Sequence, residues 1–428
     1  MARMPKGYFN IHWFSFFNAL TFQIILGAPL ILYVKSLGAS STILGMVASF
    51  TPLATVLQLP AAKFLHIYGY RRFVLMGWGP RTVLIFFMAS VPVLGFWDNS
   101  TKLGLLIATL FLFSILRGAA SAAWMPWIAA LIPEELRTRF LSRDQAFMFS
   151  GCFLALVASA FVLRGNGSPW AYAAAFLFSG LAGTIGLGFI NKIPDVKAVE
   201  ELQQSARDVP WRAMLGYRPF FSLLLFNLFF VLVVGSLGVF TIEFLHTVPD
   251  FNAERILYLS GISFLGSLFV LPFAGILLEG MGNRAALIFA LSLFGVDMVG
   301  WFFMAAGIFH CSWAAVAGLN FLAGAAGALF NVANSRLAFA TMPAMGRNHF
   351  FAMFTVVSSL GLGAAPVFWG ISLDFIGTFE AVTGDFCWKR HSIYFVALFV
   401  LNFLTILQAR RLDASGAGAD DFEIPQGL

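Results

Sequence analysis

Twelve apolar stretches, each about as long as a helix needs to cross a bilayer, leave this chain few ways to fold. They lie near 8–33, 42–65, 73–96, 103–131, 145–163, 170–191, 220–245, 255–278, 285–308, 313–341, 350–376 and 391–409, cut by charged or Gly/Pro-rich punctuation. Lipid offers backbone N–H and C=O groups no partner, so each stretch must satisfy its own and reads as an α-helix. The expected fold is an all-α membrane protein with 12 transmembrane helices. Of the 428 residues 60% are hydrophobic and only 11% charged, which excludes a soluble globular, disordered or coiled-coil chain. The first stretch is longer than a signal-peptide core and lacks a small-residue cleavage site, so it reads as a retained anchor.

The net charge of +6 describes topology, not a nucleic-acid partner, because the basic residues sit singly in short loops without a basic stripe. With the N-terminus inside, 16 of the 26 Lys and Arg fall in inner segments and six in outer loops; Lys63 sits at a helix end, and Arg81, Arg117 and Arg336 lie within the membrane. That bias predicts both termini in the cytoplasm. One long inner loop, broken by Pro194, Pro210 and Pro219, predicts a division into a first half (1–192), a cytoplasmic linker (193–219), a second half (220–410) and a cytoplasmic tail (411–428).

The halves repeat one another. Gly69-Tyr70-Arg71 returns as Gly282-Asn283-Arg284, Pro133…Arg137…Phe140 as Pro343…Arg347…Phe350, and Leu26-Gly27 as Leu237-Gly238, at offsets of about 210 residues. Two pseudo-symmetric six-helix halves around a central pathway are one architecture of secondary transporters, which hold substrate near the bilayer midplane.

These residues resemble the major facilitator superfamily. GILLEGMGNR (275–284) is similar to that superfamily's loop signature, with Gly275, Glu279, Gly282 and Arg284 in its Gly, acid, Gly and Arg places. The corresponding AKFLHIYGYRR keeps Gly69, Arg71 and Arg72, but Ala62 replaces the first Gly and His66 the acid. The resemblance implies a cytoplasmic gating role for these residues, with the acid-based latch of the first half in question. Arg117 precedes the PEELRTR loop much as the superfamily's intramembrane Arg precedes its own, and the resemblance places helices 1, 4, 7 and 10 around the cavity. The fifth stretch lacks the Gly-Pro pair of the superfamily's drug-proton antiporters. In length and texture the chain also resembles the superfamily's magnetosome-membrane proteins, supposed to carry iron.

A charge at mid-membrane costs at least about 2.5 kcal/mol and therefore faces a partner or a watery cavity. Arg117 shares a helical face with Ser114, Ser121 and Trp124, and this face is the first substrate-binding candidate. On the tenth helix Asn320, Gly324, Gly327, Asn331 and Asn334 recur at spacings of 4, 3, 4 and 3; close packing explains the glycines, and the cavity is favoured for Asn331 and Asn334. Arg336, about 13 Å from the depth of Arg117, serves either the substrate or an inner gate. Arg81 reads as snorkelling toward headgroups from a peripheral helix. Asn18 and Asn227 are softer binding candidates, and Trp127 reads as an interface anchor. Among acids, Asp297 and Glu243 are the coupling candidates, Asp297 being either a proton carrier or an arginine's partner.

The six histidines lack the close spacing of a tight metal site, so no metal ligand and no cofactor is expected. Cys311 and Cys387 fall in outer loops, where a disulfide is one option and two free thiols the default. No Walker loop is present and no paired acids, His–acid pair or nucleophile marks an enzyme. The expectation is a monomeric secondary transporter in the bacterial inner membrane or a membrane derived from it, such as the magnetosome. Its partners are the lipid bilayer and a small-molecule or ion substrate; proton coupling and an anionic or polar organic solute are favoured. An iron transporter, and an assembly factor or sensor that kept the fold, are the alternatives.

Overall fold

The computed structural model describes residues 6–132, 134–165, 167–195, 211–343 and 347–412. Twelve helices long and apolar enough to cross a membrane follow one another: α1 (Phe9–Ser36), α2 (Ser41–Ala62), α3 (Tyr70–Val93), α4 (Asn99–Ile128), α5 (Phe140–Val162), α6 (Pro169–Ile190), α7 (Arg218–His246), α8 (Ala253–Met281), α9 (Asn283–Ala305), α10 (Trp313–Thr341), α11 (His349–Ile376) and α12 (Arg390–Arg410). The chain is a multi-pass membrane protein of the expected class. Much of the linker (196–210) and of the tail (413–428), together with Pro133 and the Arg137 and Arg347 side chains, lies outside the described residues.

Local chemistry sets the ends. Ser40, Asp98, Ser168 and Ser312 accept backbone N–H bonds at the starts of α2, α4, α6 and α10, satisfying donors that the first helical turn leaves open. The repeated glycines Gly69 and Gly282 have one conformation, φ +72° and +80°, at the turns entering α3 and α9. A side chain would be strained there, which accounts for glycine at both places. Helix α1 breaks between Ile25 and Ala28, and α4 tightens into a 3-10 turn at Ser121–Ala123.

Packing divides the chain into two compact units. The first contains 1–199 with 238–265 and 366–374. In it α1 lies against α5 and α6, α3 against α4 and α6, and α2 against α4. Glycines let the backbones touch: a Cβ on Gly118 would stand 2.0 Å from the Ala54 carbonyl oxygen, one on Gly77 2.1 Å from the Ala120 Cβ, and one on Gly151 2.6 Å from the Phe16 carbonyl oxygen. The second unit contains 200–237, 266–365 and 375–428, with α9 packed on α10 and α12.

The second unit also holds an element the helical pattern did not predict, an antiparallel hairpin of β1 (Glu380–Thr383) and β2 (Phe386–Lys389). Its two-residue turn begins at Gly384 with φ +62°, and the Cys387 N–H donates to the Ala306 carbonyl at 3.0 Å. Cys311 and Cys387 are free thiols; the Cys387 Sγ donates to Glu380 Oε1 at 3.3 Å.

The Gly118 contact makes the packing testable. Gly118→Val should cost on the order of 1–3 kcal/mol and lower the melting temperature of the purified protein by several degrees, whereas Gly104→Ala, at a site with open space around it, should leave it unchanged.

Candidate functional site

A cavity of about 330 Å3 opens within the first unit. Its walls come from five helices: Asn18 on α1, Gln58 on α2, Trp78 on α3, Arg117 on α4 and Asp144 on α5 are the polar and aromatic residues that define it. Ser121 and Trp124 line it one and two turns beyond Arg117. Four sequence candidates, Asn18, Arg117, Ser121 and Trp124, thus meet around one space. Ser114 turns away instead, its Oγ 3.1 Å from Thr51 Oγ1 of α2.

Arg117 has no hydrogen bond or ion pair among the described residues; its guanidinium carbon stands 5.9 Å from the centre of the Phe22 ring. Arg81 overturns its sequence reading. It is 2% exposed and points inward, donating from Nη2 to Asn18 Oδ1, with its guanidinium carbon 4.4 Å from the Trp78 ring centre and 5.4 Å from that of Phe113. Trp78 Nε1 donates to the same oxygen at 3.2 Å. A polar acceptor and two aromatic faces hold the cation better than the headgroup region could. The signal was in the sequence: Val74, Trp78, Arg81, Ile85 and Met88 recur at 4, 3, 4 and 3, and all are buried, so Arg81 stands on the core stripe of α3.

His12 and Asp144 were also missed, because they are far apart in sequence. His12 Nδ1 lies 3.1 Å from Asp144 Oδ1, and the buried ring stacks on Phe140 and Phe147. Trp127, read as an interface anchor, is fully buried and donates from Nε1 to the Pro194 carbonyl at 3.1 Å.

In the second unit, Asn227 and Asn334 form a reciprocal amide pair, with donor–acceptor distances of 2.8 and 3.3 Å, that clips α7 to α10. Asn331 and Arg336 are exposed on α10. Asp297 is fully buried, and its partner is an indole, not an arginine: Trp301 Nε1 donates to Oδ1 at 3.0 Å, while Oδ2 has no hydrogen-bond partner among the described residues. Of the loop residues, Arg71 Nη2 donates to the Ile193 carbonyl at 2.6 Å, tying the start of α3 to the end of α6. Arg72, Gly275, Glu279 and Arg284 are exposed.

A second polar cluster lies where α1 ends and α2 begins, within the first unit. Glu243 of α7, fully buried, accepts from Lys35 Nζ at 2.7 Å and from Ser41 Oγ at 2.8 Å. Asp374 of α11 accepts the Ser41 and Thr42 N–H groups at 3.0 and 2.8 Å, a carboxylate on the positive end of α2. Gly45 and Gly370 allow this approach, since a Cβ on either would stand within 2.5 Å of backbone.

A family profile described as Major Facilitator Superfamily matches residues 12–308. No curated protein matches the sequence. Similar solved structures include a D-xylose-proton symporter, at 15% identity and a TM-score of 0.72, covering 96% of this chain and 98% of that one. A nucleoside transporter, NupG, follows at 12% identity and 0.64, covering 95% and 99%. A POT family transporter in complex with 5-aminolevulinic acid matches at 13% and 0.67, covering 95% of each chain.

Removing Lys35 would leave the Glu243 carboxylate buried without that cation. Lys35→Met alone should cost about 3 kcal/mol and lower the melting temperature sharply, while Lys35→Met with Glu243→Gln should recover most of the loss, a coupling that thermal melts of the four proteins of the cycle would read.

Proposed function

The chain belongs to the major facilitator superfamily, and on that premise we propose that it is a secondary active transporter carrying a small anionic or polar organic solute by alternating access, with proton coupling. The observation that carries the solute class is Arg117: a guanidinium lining a cavity of solute size, without a carboxylate partner among the described residues. Such a group recognises carboxylate or phosphate oxygens in the bidentate geometry that water cannot match. Asn18, Ser121 and Trp124 would complete the contacts from the first half, and Asn227, Asn331, Asn334 and Arg336 would supply the second. A metal cargo such as iron is disfavoured, because a cation entering this cavity meets Arg117 and, among the described lining residues, finds one carboxylate, Asp144, already engaged by His12.

The moving parts in this reading are the sequence halves, 1–192 and 220–410, which work as a monomer. Glycine-rich loops at Gly69 and Gly282 lie on the cytoplasmic side with both termini, and Arg71, Arg72, Gly275, Glu279 and Arg284 act in the gate there. The excess of basic residues in inner segments supports that orientation, and the bacterial inner membrane is the setting. Asp297 and Glu243 are the proposed coupling acids: Asp297 keeps an oxygen without a hydrogen-bond partner among the described residues, and Glu243 holds Lys35.

Uptake into proteoliposomes tests the reading. Organic anion uptake should fall at least tenfold in both Arg117→Ala and Arg117→Lys at normal expression; full activity in both would overturn it. An imposed proton gradient should accelerate uptake by the parent protein, and Asp297→Asn should lose that acceleration; retention of the normal pH dependence would remove Asp297 from coupling.

A further inference from the structure

Arg117 lines the cavity of the first unit; the structure holds a second arginine of that unit behind the same wall. Helices α3 and α4 touch through Gly77, whose added Cβ would meet Ala120 at 2.1 Å and the Leu116 carbonyl oxygen at 3.0 Å. One turn beyond that contact on α3 is Arg81, lying over Phe113, which is itself one turn before Arg117. Arg117 follows Leu116 at that same contact, so both arginines belong to the α3–α4 seam. Two like charges are thus held together in an apolar interior, and Arg81 Nε and Nη1 have no hydrogen-bond partner among the described residues. A guanidinium cannot lose its proton to escape this, so the pair keeps its charge.

Asn18 connects the two arginines. Its Oδ1 receives both Arg81 Nη2 and Trp78 Nε1, which fixes the amide so that its NH2 is left to donate, and Asn18 itself lines the cavity beside Arg117. Asp144 is the cavity's carboxylate, and its Oδ1 is on His12. Two positive charges therefore meet at the wall shared by α1, α3 and α4, and neither has a carboxylate partner among the described residues.

We propose that Arg117, Asn18 and Arg81 form one recognition centre for a compact dianionic oxyanion head, the chemistry of a phosphate monoester. This rests on the anion reading of the cavity and narrows it. Arg117 and the Asn18 amide touch the oxyanion; Arg81 is a positioning residue that orients Asn18 and supplies the second charge from behind. A monoanion leaves one buried guanidinium uncompensated, whereas a dianion cancels both, and in a site of low dielectric that difference is large.

Ligand-induced stabilisation of the purified full chain tests it, because an anion bound only by the folded protein raises the melting temperature with concentration. The probes are sulfate against acetate, and ribose 5-phosphate against ribose, at pH 8. Sulfate and ribose 5-phosphate are expected to bind at least tenfold more tightly than acetate and ribose. Arg81→Gln should lower sulfate affinity at least tenfold while changing acetate affinity less than threefold, a charge-selective loss that general loosening of the cavity would not give. If Arg81→Gln fails to fold, Asn18→Asp serves instead: its carboxylate pairs with Arg81 in place and should abolish the preference for the dianions without lowering the melting temperature of the unliganded protein. Sulfate affinity within twofold of the parent in either variant, with Arg117→Gln still abolishing anion binding, would overturn the two-arginine centre and leave the anion transporter standing. Stabilisation by ribose and by no anion would overturn both.

Discussion

Everything in this fold answers to the absence of water in the bilayer: a charge or an open backbone group that cannot reach solvent must find its partner inside the protein. The Asn227–Asn334 amide pair answers it between helices. Glu243 answers it with Lys35 and Ser41, and Asp374 with the first N–H groups of α2. Beside these matched groups stand some that have no full set of partners among the described residues, Asp297 Oδ2 in α9 and the two guanidiniums near Asn18, and the latter coincide with the cavity.

The architecture was legible because lipid imposes a length and a composition that a hydropathy count detects directly. The stretch read at 103–131 is α4 at Asn99–Ile128, and that read at 391–409 is α12 at Arg390–Arg410. The internal repeat was legible because glycine was needed twice for one backbone conformation, at Gly69 and Gly282. The hairpin at 380–389 was not, since its strands are four residues each and stand among charged loop residues where no helical period operates. The cavity was half legible. Arg117, Ser121 and Trp124 share one helix, so spacing alone groups them. His12 and Asp144 are brought together only by the contact of α1 with α5, through Gly151, which no spacing reports. Arg81 was misread for a different reason: its position near a helix end suggested an outward route, whereas the buried stripe on α3 already assigned it an inward one.

Close backbone approaches explain why so much chemistry fits into a small volume. Gly77, Gly118 and Gly151 each remove a Cβ at a crossing, and between them they bring α1, α2, α3, α4 and α5 near enough for their polar residues to share one space. The same approaches make the walls stiff, because a wall that is backbone against backbone has no side chain to swing aside. Adjustment around a ligand then falls to the segments that are already irregular, the break in α1 near Gly27 and the 3-10 turn of α4 at Ser121–Ala123.

The unmatched guanidiniums have an electrical consequence. Charge carried through the field of an energised membrane is worth about 2.3 kcal/mol per elementary charge for each 100 mV. On the proposed reading, an empty carrier that turned Arg81 and Arg117 from one face toward the other would move charge, and voltage would bias the side on which it waits. A solute that neutralises the pair removes that bias, so the resting membrane potential would act on the return of the empty protein more than on the passage of the loaded one.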